Sequence, residues 1–320
     1  MNMTDQVKLT ATIPEDHCGL RLDKSLAILF PDYSRARIQH WISNSHVHVN
    51  GETQQNRYKV SGGEAVELQV VLENEEFISA PENIPLDIIH EDDHILVINK
   101  PAGLIVHPGA GNHSGTLLNA LLYYHQDQSC LPRAGIVHRL DKDTTGLMVV
   151  AKSLVAHTAL VDMLQKHQVE RRYYAIVRGQ VISGGTFNDP IGRHPTERTK
   201  MAVSDKGKPA CTHFTVVKKY MRHTWVDARL ETGRTHQIRV HFATHNFPLI
   251  GDGVYAPRIQ RVANVPAELN EALYQFPRQA LHAYQLAFEH PQSKQTMCWN
   301  VPLPADMQAL IDKLDTYSSL

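Results

Sequence analysis

His138-Arg139-Leu140-Asp141-Lys142-Asp143-Thr144-Thr145-Gly146-Leu147 lies between two apolar runs, Gly135-Ile136-Val137 before it and Leu147-Met148-Val149-Val150-Ala151 after it. The runs read as short buried strands. The polar stretch between them is then a loop fixed at both ends by the core, and such loops are where catalytic groups concentrate. Arg139 and Asp141 stand two residues apart in it. A carboxylate there has three uses: nucleophile, general base or metal ligand.

The surroundings decide the fold class. His94 to Lys100 reads as a buried strand ended by Pro101-Ala102-Gly103. Ser114 to Leu122 starts a helix, with Ser114 or Thr116 as its cap. Ser153 to His167 has helical spacing through Leu160, Met163 and Leu164, and Tyr173 to Gly179 reads as a strand. Arg193 to Pro209 is polar and basic, a protruding loop or hairpin. A strand over Thr224–Leu230 precedes a helix over Thr235–Phe242, entered through Gly233-Arg234. Strands outnumber helices without strict β-α-β alternation, which predicts an α+β fold with a mixed, mostly antiparallel sheet.

The N-terminal part has a different character. Leu22, Leu26, Leu29 and Phe30 share one helical face, and Pro31-Asp32-Tyr33 breaks it. Ser34 caps a second helix through Arg35, Arg37, Ile38, Trp41 and Ile42. Val47-His48-Val49 runs into Asn50-Gly51, a hairpin signal. Leu-Asp-Lys, Ser-Arg-Ala-Arg-Ile and Val-Asn-Gly in this order resemble the S4 RNA-binding module, whose arginines would face phosphates. The predicted organisation is an S4-like domain over 15–75, an acidic linker over 76–93 and a catalytic domain over 94–320.

Composition excludes more than it selects. With 42% hydrophobic and 20% charged residues the chain is an ordinary globular one. No run of 18 apolar residues predicts a membrane span, and the N-terminus lacks the pattern of a secretory signal, so a cytoplasmic protein is expected. Cys18, Cys130, Cys211 and Cys298 form no CxxC pair, which argues against a cysteine-based zinc site. The net charge of −1 is neutral on partners, but its distribution is not. Val71 to Asp93 holds 8 acids and no Lys or Arg; His167 to Arg239 holds 14 Lys/Arg against 6 acids. The second block predicts a surface facing a polyanion.

Five segments then fall into one pattern: Asn99-Lys100-Pro101-Ala102-Gly103, His107-Pro108-Gly109, the His138–Gly146 loop, Arg171-Arg172-Tyr173-Tyr174-Ala175 and Gly233 to His241. Together they resemble the RluA family of pseudouridine synthases, and the resemblance runs from about residue 15 to 315. It implies isomerisation of uridine in RNA without a cofactor: the N1–C1′ bond breaks, the base rotates, and C5 joins C1′. The family's invariant aspartate falls on Asp141, its partner arginine on Arg239, and the aromatic that stacks on the target base on Tyr173. Arg139 would fill the vacated stack or hold the displaced neighbours. RNA contacts are expected from Arg21, Lys24, Arg35, Arg37 and Arg234. The implied partner is 23S ribosomal RNA, free or in an assembling large subunit, and a monomer is expected. Thr145 stands where many members have Ser, and the residues flanking Tyr173 are not the usual acids; neither touches the implied chemistry.

Elementary chemistry agrees with that reading. Cleaving a glycosidic bond creates a sugar centre that is cationic or needs a nucleophile, and a carboxylate serves both. Burial alone would raise its pKa, so an ionised Asp141 needs a cation beside it. An Asp141–Arg239 ion pair is therefore expected. A uridine in folded RNA must be flipped out, at a cost of a few kcal/mol. Tyr174, next along the strand, would face away from Tyr173.

Rival constellations are weaker. His138 and Asp141 are three apart and His236 and His241 five apart; neither spacing gives the i, i+4 helical pair of a zinc site, and no metal is expected. Lys100 reads as structural or RNA-contacting rather than as a nucleophilic amine. Asp143 reads as a structural cap. Gly109-Ala110-Gly111 is too short for a phosphate loop. The competing functions are a non-catalytic assembly factor and a metal-dependent hydrolase built on His138 and Asp141.

Overall fold

The structure, a computed structural model, describes residues 5–30, 35–72, 80–109, 112–197, 199–256 and 265–318. Contacts divide the chain into two units, Met1–Ile78 and Ser79–Leu320.

The first unit is a small α+β module. Strand β1 (Asp5–Thr12) precedes helices α1 (Leu22–Leu29) and α2 (Arg35–Ser43); β2 (Val47–Val49), β3 (Glu52–Thr53) and β4 (Ala65–Leu72) follow. The sheet order is β1-β4-β2-β3, antiparallel throughout. Leu22 and Leu26 of α1 and Ile38, Trp41 and Ile42 of α2 bury against Val47, Val49, Val66 and Leu68. Asn50 and Gly51 both take positive φ, 50° and 83°, which is what a two-residue hairpin turn between β2 and β3 demands. Ser34, the expected cap of α2, lies outside the described residues.

The second unit is built on a nine-stranded sheet ordered β5-β6-β7-β14-β8-β13-β12-β9, with β15 also on β14. The strands are β5 (Ile88–Glu91), β6 (Ile95–Lys100), β7 (Thr145–Ala151), β8 (Glu170–Arg178), β9 (Gly185–Phe187), β12 (Thr212–Lys219), β13 (His223–Leu230), β14 (Leu281–Glu289) and β15 (Thr296–Asn300). A separate ribbon, β10 (Ile191–Arg193) with β11 (Met201–Val203), forms the base of the basic 193–209 segment. The helices are α3 (Leu117–Tyr124), α4 (Leu154–Gln165), α5 (Gln237–Thr244), α6 (Ala267–Gln275) and α7 (Ala305–Ser318). Only β7 and β14 run parallel; the sheet is mixed and mostly antiparallel.

Residues 95–98 of β6 and 147–151 of β7 are apolar throughout because both faces of the sheet are covered. Leu96, Ile98, Met148 and Val150 pack beside Leu117 and Leu121 of α3. Ile95, Val97, Leu147 and Val149 pack beside Ala156 and Leu160 of α4. Thr116 caps α3, accepting from Asn119 N in a reciprocal capping box, and Ser153 caps α4.

Two expectations need correction. Gly135-Ile136-Val137 is not a strand. Pro132–Gly135 forms a tight turn with positive φ at Arg133, Ala134 and Gly135, and only Ile136 bridges to Val150. Gly135 permits this because a Cβ there would lie 2.0 Å from the Ala151 carbonyl oxygen. Within the acidic stretch 76–93, of which 76–79 lie outside the described residues, residues 80–93 are more than a linker. Ile84, Leu86 and Ile88 pack on the main core, and β5 pairs with β6. Its charges are engaged too: Glu91 binds Lys152 at 2.7 Å, and Glu82 accepts from Gly115 N.

Candidate active site

The loop from His138 to Thr144 is held from below by side chains distant in sequence. Lys100, 1% exposed, donates from Nζ to the carbonyls of Pro101, Leu104 and Lys142 at 2.8–2.9 Å. Burial pulls its pKa down to about 7, against the attraction of Asp143 and Asp141. Three carbonyls match the three N–H groups of an ammonium. Held as an ammonium by these three acceptors, Lys100 is a structural anchor with no lone pair free for nucleophilic attack. Nη1 of Arg278 donates to the Asp143 carbonyl at 3.1 Å, while its Nε and Nη2 grip Asp306. Gln279 Nε2 reaches Thr144 Oγ1, and Thr145 Oγ1 hydrogen-bonds His282 Nδ1 at 2.8 Å. His138 Nε2 accepts from Val149 N, so the proton sits on Nδ1, and burial depresses its pKa to about 3, keeping the ring neutral. Asp143 enters this frame through its carbonyl oxygen.

This frame presents Asp141 to Arg239. Arg239 Nη1 lies 3.0 Å from Asp141 Oδ2. The remaining face of the guanidinium is held by Asp252, Nε to Oδ2 at 2.7 Å and Nη2 to Oδ1 at 2.9 Å. Asp252 is fully buried and also accepts from Val254 N and Tyr255 N. Burial alone would lower the pKa of Arg239; the hydrogen bonds and charges of Asp252 and Asp141 override it and raise it. The same partners hold Asp252 below the usual carboxylate range, although burial pushes the other way. Arg239 sits on α5, whose entry is fixed by Gln237: its Nε2 donates to the Cys211 carbonyl, and its Oε1 accepts from Thr232 Oγ1 and Arg234 N.

His236 and Tyr255 complete the surroundings of Asp141, and the sequence did not single out either for this place. His236 takes the left-handed conformation, φ 57°, immediately before α5. Its Nδ1 is 2.6 Å from the Tyr255 hydroxyl, and Nε2 is 3.8 Å from Asp141 Oδ1. Met201 N already donates to the Tyr255 oxygen, so the phenol proton is directed at Nδ1. Burial lowers the His236 pKa, with Asp141 opposing, and the neutral ring carries its proton on Nε2, toward Asp141. The Tyr255 ring also lies under the Arg239 guanidinium, 5.0 Å away.

A cleft of about 900 Å³ opens above Asp141. Arg133, Arg139, Arg171 and Arg234 line it with His107, His138 and His167, and Asp141 is the only acid among the lining residues. Tyr173 stands in its wall, 5% exposed, held between Ala228 of β13 and Ala283 of β14. Burial raises its pKa, so the phenol keeps its proton. Tyr174 faces the opposite side of the sheet, stacked on Tyr284 at 3.8 Å. Arg139 is exposed, and Arg234 is half-buried, with Nε donating to the Pro209 carbonyl. The cleft thus joins one carboxylate, one aromatic face and a wall of cations, the equipment for acting on a flipped base of a polyanion.

Arg21, Lys24, Arg35 and Arg37 belong to the first unit. Arg21 and Arg35 both bind the buried Asp23, each at 2.9 Å, and remain about half exposed. Lys24 is exposed on α1. The Arg37 side chain lies outside the described residues. Among the described residues, no helix is long and apolar enough to cross a membrane.

Comparison with known proteins gives a consistent result. Residues 94–244 match a family described as RNA pseudouridylate synthase, and residues 20–66 match the S4 domain. A Salmonella typhimurium protein, ribosomal large subunit pseudouridine synthase D, is 52% identical over 98% of this chain and 96% of its own length. Its namesake from Escherichia coli K12 is 51% identical over 97% of this chain and 95% of its own. Among solved structures, human RNA Pseudouridylate Synthase Domain Containing 1 is 25% identical, with a TM-score of 0.53, over 71% of this chain and 87% of its own. Half-identity to such relatives over almost the whole length leaves one assignment: the chain belongs to the family of RNA pseudouridine synthases.

Proposed function

We propose that this protein converts specific uridines of large-subunit ribosomal RNA to pseudouridine in the cytoplasm, acting as a monomer on free 23S RNA or on an assembling subunit. The observation that carries the reading is Asp141, paired to Arg239 at 3.0 Å, at the floor of a cleft lined also by Arg133, Arg139, Arg171 and Arg234. The RNA substrate follows from what the relatives are named for.

In this reading the target nucleotide is flipped into the cleft, and Arg139 takes the vacated place in the stack. Tyr173 stacks on the base, and its phenol is available to relay the proton lost from the sugar. Asp141, held by Arg239 through Oδ2, reacts through Oδ1, as covalent partner or as counter-ion to the sugar or base. The N1–C1′ bond breaks, the uracil turns, and C5 bonds to C1′ with loss of the C5 proton. No cofactor enters this scheme. Arg21, Lys24, Arg35 and Arg37 of the first unit, with Arg234 at the cleft, grip the RNA backbone.

Incubation with unmodified 23S RNA, digestion to nucleosides and chromatography test this directly. Pseudouridine forming in step with uridine loss is the expected result. Unchanged uridine in both free RNA and assembling subunits would contradict it.

A further inference from the structure

Cys211 and Glu231 face each other across the open end of the β12–β13 pair, with Glu231 N donating to the Cys211 carbonyl at 3.2 Å. His213, two residues along, projects on the same side of the sheet as Cys211. Their donor atoms converge: Cys211 Sγ is 3.5 Å from His213 Nε2, and His213 Nε2 is 3.1 Å from Glu231 Oε2, all three atoms within 4.8 Å.

Zinc takes thiolate sulfur at about 2.3 Å, imidazole nitrogen at about 2.0–2.1 Å and carboxylate oxygen at about 2.0–2.2 Å. At tetrahedral angles those bonds separate sulfur from nitrogen by about 3.5 Å and nitrogen from oxygen by about 3.4 Å. The sulfur–nitrogen and nitrogen–oxygen separations therefore lie within a few tenths of an ångström of those an ion would set. A second observation points the same way. His213 Nδ1 is engaged by Thr186 Oγ1 of β9 at 2.9 Å, which turns Nε2 to the cluster, as outer partners of ligating histidines do. Thiolate and carboxylate together supply two negative charges against a divalent ion. The mixture of sulfur, nitrogen and oxygen favours zinc over magnesium or calcium.

We propose that Cys211, His213 and Glu231 form a zinc-class metal site with water as fourth ligand. The three residues are not among those lining the cleft, and the ion serves position rather than chemistry. The backbone of Cys211 donates to Thr232 Oγ1 and accepts from Gln237 Nε2. The Glu231 carbonyl accepts from Arg171 and His167. An ion joining Cys211 to Glu231 clamps the two segments that hold the entry of α5, and through it Arg239. Linear spacing hid the site: Cys211 and His213 are two residues apart, and the third ligand arrives from the neighbouring strand.

The test uses full-length protein, stripped with chelator, dialysed and kept reduced by a phosphine. Cobalt(II) is titrated in and the thiolate-to-cobalt charge-transfer band followed. The band should saturate at one equivalent, be displaced by zinc, vanish in Cys211→Ser and persist in Cys298→Ser. Zinc should raise the melting temperature of the wild type but not of His213→Asn, with circular dichroism confirming that each variant folds. Thr186→Ala should weaken cobalt binding about 10- to 100-fold. Absence of the band, its survival in Cys211→Ser, or a melting temperature indifferent to zinc would each overturn the site and leave a hydrogen-bonded triad.

Discussion

Arg239 meets Asp141 with one nitrogen and Asp252 with the other two. The guanidinium is thus positioned by a carboxylate that never faces substrate, and Asp141 receives a fixed cation before RNA arrives. A bidentate pair buried on both sides holds its geometry where an exposed single contact would not. Preorganisation of this kind is what electrostatic catalysis requires.

Arg239→Ala removes the partner of a fully buried carboxylate as well as that of Asp141. We expect a loss of about 3–5 kcal/mol in urea unfolding and a severe loss of activity. A variant as stable as the wild type would show that the Arg239–Asp252 pair does not form.

Asp252→Asn keeps the shape but removes the charge that raises the Arg239 pKa. Stability should fall, because the carboxylate accepts four hydrogen bonds, two of them from the guanidinium. Its depressed folded pKa contributes stability above the unfolded value of about 3.9, lost as pH drops through the folded one. The acid limb of the wild-type stability curve should therefore flatten in this variant below about pH 4.

Buried neutral histidines govern a higher window. His138 is held to about 3, and His223 and His282 to about 4, each chiefly by burial. The unfolded chain takes up these protons near pH 6.5 while the folded one does not. Stability should accordingly fall as pH is lowered from about 6.5 toward 4. His282→Gln should reduce that slope by one proton, read from denaturant midpoints at a series of pH values.

Tyr255→Phe deletes the hydroxyl that links Met201 N to His236. Losing one such hydrogen bond is worth roughly 1–1.5 kcal/mol, so kcat should fall on the order of tenfold with RNA affinity nearly unchanged. An unaltered kcat would show that the Tyr255–His236 hydrogen bond beside Asp141 plays no part in the reaction.

Deleting residues 1–78 removes a unit with its own core, and RNA binding should weaken. Loss of its cations should also flatten the dependence of affinity on salt. Identical salt slopes for both chains would remove the first unit from the RNA grip.

How much of this was legible in the sequence depends on distance along the chain. Asp141 stands out locally as a carboxylate in a polar loop between apolar runs, whereas Tyr173 and Arg239 were assigned through the resemblance of their motifs to the family. Asp252, Tyr255 and Arg278 carry no periodicity of their own, and their roles exist only because the fold brings them to α5 and to the 138–144 loop. The two misread segments fail for the same reason. Strand β5 depends on β6 for its pairing, which acidic composition obscured, and Gly135–Val137 lost strand character to a turn that Gly135 alone makes possible. Cys211, His213 and Glu231 are a cross-strand cluster, invisible to a linear motif.

The central claim is that Asp141 performs chemistry at uridine. Tritium release from 23S RNA labelled at uridine C5, with wild type and Asp141→Asn side by side, tests it most directly. The account predicts release by wild type, none by the variant, and RNA affinities within a few-fold of each other. Full release by Asp141→Asn would contradict it.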